Sequence, residues 1–76
     1  PFDGTLQIAL ELPEAGDLQA SLWDALGRRV WTSSFPGQPS GSFGHSLSLP
    51  ALPAGAYLLR LQHNGHTWTR QVIRNP

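Results

Sequence analysis

The side chains best suited to chemistry are three histidines, His45, His63 and His66, in a chain of 76 residues with five acids and no cysteine. His63 and His66 flank Asn64-Gly65, so a tight turn there makes them cross-strand neighbours, near enough to share a metal ion. Two imidazoles without a third nitrogen or a carboxylate form an incomplete zinc site. The pair reads as two exposed polar side chains at a hairpin tip, and no metal is expected. His45 precedes Ser46, but no motif places an acid to orient its ring, and nothing signals an oxyanion hole for any serine. The acids Asp3, Glu11, Glu14, Asp17 and Asp24 lie mostly at turns, where carboxylates usually accept from nearby backbone N–H groups. No glycine-rich phosphate loop occurs. The residues therefore point to no enzyme and to no cofactor.

Charge narrows the partners. Five arginines balance the five acids, and lysine is absent. Nucleic acid or an anionic membrane as the main partner would call for a basic excess. Trp23, Trp31 and Trp68 beside arginines resemble a stacking platform for single strands, yet at zero net charge they read as structural tryptophans covered by arginine stems. No apolar run approaches a transmembrane helix, and no signal-peptide pattern is present. The length permits one domain, residues 1–76, with a thin core that buries about 60% of the unfolded surface. Because the chain opens on Pro1-Phe2, it reads as a domain of a longer protein.

The elements that must carry these side chains are strands. Asn64-Gly65 suits a two-residue type I′ turn, whose central residues both need positive φ. That loop pairs His63 with His66, Leu61 with Trp68, Leu59 with Arg70 and Tyr57 with Val72. Tyr57, Leu59, Leu61, Trp68 and Val72 then share one apolar face. Arg70 falls on the same face, and its stem is expected to be buried with the guanidinium reaching the edge. Tyr57, beside the turn led by Gly55, should bury its ring and hydrogen-bond its hydroxyl.

Upstream, Pro1 to Gly4 is turn chemistry. Thr5 to Leu12 then alternates strictly, with Leu6, Ile8, Leu10 and Leu12 on one face, the mark of a half-buried strand. Pro13 to Gly16 breaks it. Asp17 to Asp24 forms a second strand with Leu18, Ala20 and Leu22 inward. Asp24 to Gly27 turns, and Arg28 to Phe35 follows as a third strand with Val30 in the core. A helix from Leu18 to Val30 competes on spacing, but Gly27 interrupts it and Trp, Val and Thr follow. Pro36 to Gly44 reads as a loop. His45 to Leu49 resumes alternation with Leu47 and Leu49 inward, and Leu52 plugs the end of the core. Six or seven short strands, with turn signals every eight to twelve residues or so, predict an all-β antiparallel sandwich.

Three stretches in series carry a resemblance. They are Pro1-Phe2; Leu12-Pro-Glu-Ala-Gly16 with Leu22-Trp-Asp-Ala-Leu-Gly-Arg-Arg-Val30; and Leu52-Pro-Ala-Gly-Ala-Tyr-Leu-Leu-Arg-Leu61 with Arg70-Gln-Val-Ile73. In order and spacing they resemble the C-terminal sorting domain of type IX secretion cargo, the type A or Por-secretion tail of Bacteroidota and their relatives. The resemblance implies an immunoglobulin-like sandwich of about seven strands acting as an address label. A parent cargo domain would lie upstream and would cross the periplasm. The outer-membrane translocon would read the folded tail, and a sortase-type peptidase would process it at the cell surface. The residues expected to be read are Asp24, Gly27, Arg28 and Arg29 on one turn, with Arg60, Thr69, Gln71 and Arg74 on the outward face and end of the terminal hairpin. Two other readings stay open. One is the immunoglobulin-like domain of flagellar hook-capping proteins, whose motifs are similar. The other is a non-catalytic carbohydrate- or protein-binding module of a secreted enzyme.

Overall fold

The computed structural model describes residues 4–75. The turn expected at Pro1, Phe2 and Asp3 lies outside them. The described chain is six strands with no helix: β1 (Thr5–Leu12), β2 (Gly16–Trp23), β3 (Arg29–Gln38), β4 (Gly41–Ser48), β5 (Gly55–His63) and β6 (His66–Arg74). They form two antiparallel sheets, one of order β1-β4 and one of order β3-β2-β5-β6. The sandwich is the expected class, with six strands where the resemblance implied about seven. Residues 18–30 contain β2, a turn and the start of β3, so the helical alternative does not occur.

Alternation determines what each strand buries. On β2, Leu18, Ala20 and Leu22 have no exposed surface. On β5, Tyr57, Leu59 and Leu61 point the same way and are buried. Burying a leucine of this kind contributes about 1.5–3 kcal/mol. Against these, the two-stranded sheet packs Leu12, Phe43 and Leu47, with Leu6, Ile8 and Leu10 partly covered. Ile8, Trp31 and Phe35 touch both halves of the core and join them. Val30, Leu49 and Leu52 are half-buried and pack against the same core.

The β5–β6 register is the one the two-residue turn dictates: His63 with His66, Leu61 with Trp68, Leu59 with Arg70 and Tyr57 with Val72. Asn64 has φ 47° and Gly65 φ 83°, the two left-handed residues of that turn. Arg70 lies on the inner face as its register demands, and as a whole residue it is exposed.

Residues 36–44 are the larger correction. The expected loop is mostly strand: β3 continues to Gln38 and β4 begins at Gly41, leaving Pro39 and Ser40 between them. Proline without an N–H is tolerated because β3 is an edge strand. Gly37 takes φ 64° at a register shift between β2 and β3, and Asp17 Oδ1 accepts its freed N–H at 2.8 Å. The chain thus crosses from one sheet to the other within two residues.

Candidate functional site

The outward face of the four-stranded sheet gathers four of the residues expected to be read, Arg29, Arg60, Thr69 and Gln71. The pairing registers align them in rows across β3, β2, β5 and β6. One row is Arg29, Trp23, Leu58 and Gln71. The next is Thr32, Ser21, Arg60 and Thr69, followed by Ser34, Gln19, Gln62 and Thr67. These rows hold two arginines and no carboxylate. Beside the first row, Ala56 pairs with Ile73 on the same face.

Sequence reasoning named four polar members of this surface and none of its apolar ones. Leu58 and Ile73 are each 43% exposed. The indole of Trp23 is half-buried, and its Nε1 donates to Ser21 Oγ at 3.0 Å, which holds the ring against the sheet and buries Ser21 beneath it. Leu58 and Ile73 stand out of phase with Tyr57, Leu59 and Val72. Their outward position was thus readable from the hairpin register, and an apolar residue there was the available signal.

The β2–β3 turn adjoins the first row. Asp24 Oδ1 accepts the backbone N–H groups of Leu26 and Arg28, each at 2.9 Å, while Oδ2 accepts from Arg28 Nε at 2.8 Å. The backbone closes the same turn, with Asp24 N–H donating to Arg28 O and Gly27 N–H to Asp24 O. Gly27 supplies the positive φ, 81°. The Arg28 N–H bond is the largest influence holding the Asp24 carboxyl below its ordinary range, ahead of the Arg28 side chain and the Leu26 N–H. This hydrogen-bonded turn presents Leu26 to solvent, 77% exposed. Arg28 is committed to Asp24, whereas Arg29 lies in the first row with no ion pair.

Arg74 stands apart from the other expected residues. It pairs with Gly55 and shares the inner face with Val72. It is half-buried, its Nε has no hydrogen-bond partner, and its guanidinium donates to the Asn75 carbonyl.

The structural motif is present as expected at Gly55, Tyr57, Asn64 and Gly65. Tyr57 is buried and its hydroxyl donates to Pro53 O, four residues upstream, a tyrosine-corner arrangement found in immunoglobulin-like sandwiches. The two turn histidines differ from expectation. They are cross-strand partners, but only His66 is exposed. His63 follows the inward phase of Leu61 and is 1% exposed, with neither ring nitrogen hydrogen-bonded. Among the described residues, no group of three potential ligands could hold a metal ion. His45 packs edge-on to Phe35, with ring centroids 4.7 Å apart.

The arrangement offers a contact surface: a partly apolar sheet face carrying two arginines, with a braced turn at one end. In comparisons with known proteins, the family model described as the secretion system C-terminal sorting domain matches residues 1–75. No curated protein and no solved structure matches.

Proposed function

The chain belongs to the secretion system C-terminal sorting domains, and we propose that the export machinery reads the outward face of its four-stranded sheet. As a member of that family it is a secretion signal for type IX export, directing its cargo to the cell surface or beyond. The family match does not favour the hook-capping or binding-module readings.

In the fuller reading, the domain is a non-catalytic tail that crosses the periplasm behind its cargo. The outer-membrane translocon then engages it, and a sortase-type peptidase processes it. The observation supporting the recognition surface is the acid-free array of Arg29 and Arg60 around Trp23 and Leu58, ending in the braced turn at Asp24, Gly27 and Arg28. Polar Thr69 and Gln71 complete the rows. An apolar centre with arginines beside it is a common composition for a protein contact. Arg74, on the inner face, stands outside this array. A complementary partner surface would present apolar groups rimmed by carboxylates.

Fusing residues 1–76 to the C-terminus of a periplasmic reporter tests this. The fusion should leave a type IX-competent cell, and deletion of residues 67–76, which removes all of β6 but His66, should retain the reporter in the periplasm. Retention of the intact fusion in a host with matched machinery would refute the reading.

A further inference from the structure

The inner side of the four-stranded sheet holds a second feature, a groove of about 680 Å³ between β1 and β6. Its walls include Leu6, Ile8 and Leu10 from β1 and Trp68, Arg70 and Val72 from β6. We propose that this groove is a binding site for one extended strand of another polypeptide, with apolar side chains at alternate positions and a carboxylate opposite Arg70.

The shape follows from strand counting. Neighbouring strands in a sheet lie about 4.8 Å apart, so two strands cannot cover the inner face of four. Among the described residues, β1 pairs only with β4 and β6 only with β5, and residues of both strands line the gap. Exposed edges in natural proteins are usually blunted by bulges, prolines or charges. The β1 edge has none of the first two: all eight residues pair with β4 in unbroken register, and Glu11 is the single charge, at one end. A strand added to β1 would gain its ladder of main-chain hydrogen bonds and lay alternate side chains over Trp68 and Val72. The charge follows from Arg70, which is exposed, and no residue lining the groove is acidic. A carboxylate on the incoming strand would give Arg70 a partner in a partly desolvated place, where such pairs discriminate between ligands.

The test uses the whole 76-residue chain and a capped seven-residue peptide of alternating valine and threonine, with aspartate replacing one valine. Amide resonances are followed during titration, together with hydrogen exchange. The expected result is saturable shifts at Gln7, Ala9, Trp68 and Val72, with slowed exchange at Gln7 and Ala9 on the β1 edge. A lysine-for-aspartate peptide should bind roughly tenfold more weakly, and Arg70→Glu should reverse that preference. N-methylation at alternate peptide residues should abolish binding, because it removes ladder donors. Arg70 is exposed, so Arg70→Glu should retain the native amide dispersion. Absence of saturable shifts at millimolar peptide would overturn the proposal. So would shifts confined to the outward face, or binding indifferent to Arg70→Glu or to N-methylation. Self-association of the chain through these same residues, seen by sedimentation, would also overturn it by assigning the groove to a second copy.

Discussion

The side chain of Asn64 occupies the space that a side chain at Gly16 would need. A Cβ on Gly16 would lie 2.5 Å from Asn64 Oδ1 and 2.7 Å from its Nδ2. The amide is held there because Nδ2 donates to Ala15 O at 2.9 Å. The tip of the last hairpin is thereby clipped to the turn between the first two strands, across 49 residues of sequence.

Gly16→Ala should push the Asn64 amide off Ala15 and destabilise the fold by about 1 kcal/mol or more, the value of a typical lost hydrogen bond. In an Asn64→Gly background, which keeps the positive φ the turn needs, the same substitution should cost less than about half as much. Urea melts of the four proteins measure the coupling. Equal costs in both backgrounds would disprove the clip.

Tyr57→Ala should cost about 3–5 kcal/mol, as expected for deleting a buried aromatic ring. Tyr57→Phe keeps the ring and loses the bond to Pro53 O, at a cost of about 1 kcal/mol. A urea melt showing less than about 1 kcal/mol for Tyr57→Ala would contradict the inward packing of the ring.

His63→Leu should stabilise the protein by about 1 kcal/mol. The imidazole is buried with both nitrogens unpaired, and an unsatisfied buried polar group costs about 1–3 kcal/mol. Leucine would extend the apolar series of Leu59 and Leu61. A lower denaturation midpoint for His63→Leu would refute this.

Asp24 gives the β2–β3 turn a pH dependence with a definite sign. Its folded-state pKa is depressed, so its contribution is fully present above the unfolded value, about 4 for aspartate. That contribution is lost as pH falls through the lower folded value. Asp24→Asn should therefore lower stability at neutral pH and flatten the acid limb of the stability curve. An unchanged acid limb in the variant would exclude the turn as its source.

Arg29→Glu with Arg60→Glu should block export of a reporter fusion. Melting should change by no more than about 0.5 kcal/mol for each of these exposed sites. Normal export by a normally melting double variant would remove the arginine rows from the recognised surface. Arg28→Glu would break the brace to Asp24 as well, so it tests the turn and not the rows.

The β5–β6 hairpin was legible because Asn64-Gly65 admits one register, and every inward residue from Tyr57 to Val72 follows from it. That register also placed His63 inward, where its polar identity suggested exposure. Phase outweighed side-chain type at that position. The strand at residues 36–44 was illegible because Pro36, Gly37 and Gly41 signal a loop in isolation. They suit a strand only at a sheet edge, with Asp17 available to accept the Gly37 N–H. Arg70 was placed on the correct face by the same register, but how exposed it is there depends on the facing sheet, which no strand carries by itself. The apolar members of the outward face were available from phase, since Leu58 and Ile73 alternate with the core. Residue type drew attention to the arginines instead.

Each row of the outward face takes one residue from each of four strands, running from Arg29 on β3 to Gln71 on β6. Its column from β6 is the last part of the face to leave the ribosome. A chain that stops before Thr67, or whose final hairpin has not yet docked, displays only a partial pattern. A partner that required the whole pattern would therefore engage the domain only after β6 has been made and has docked on β5.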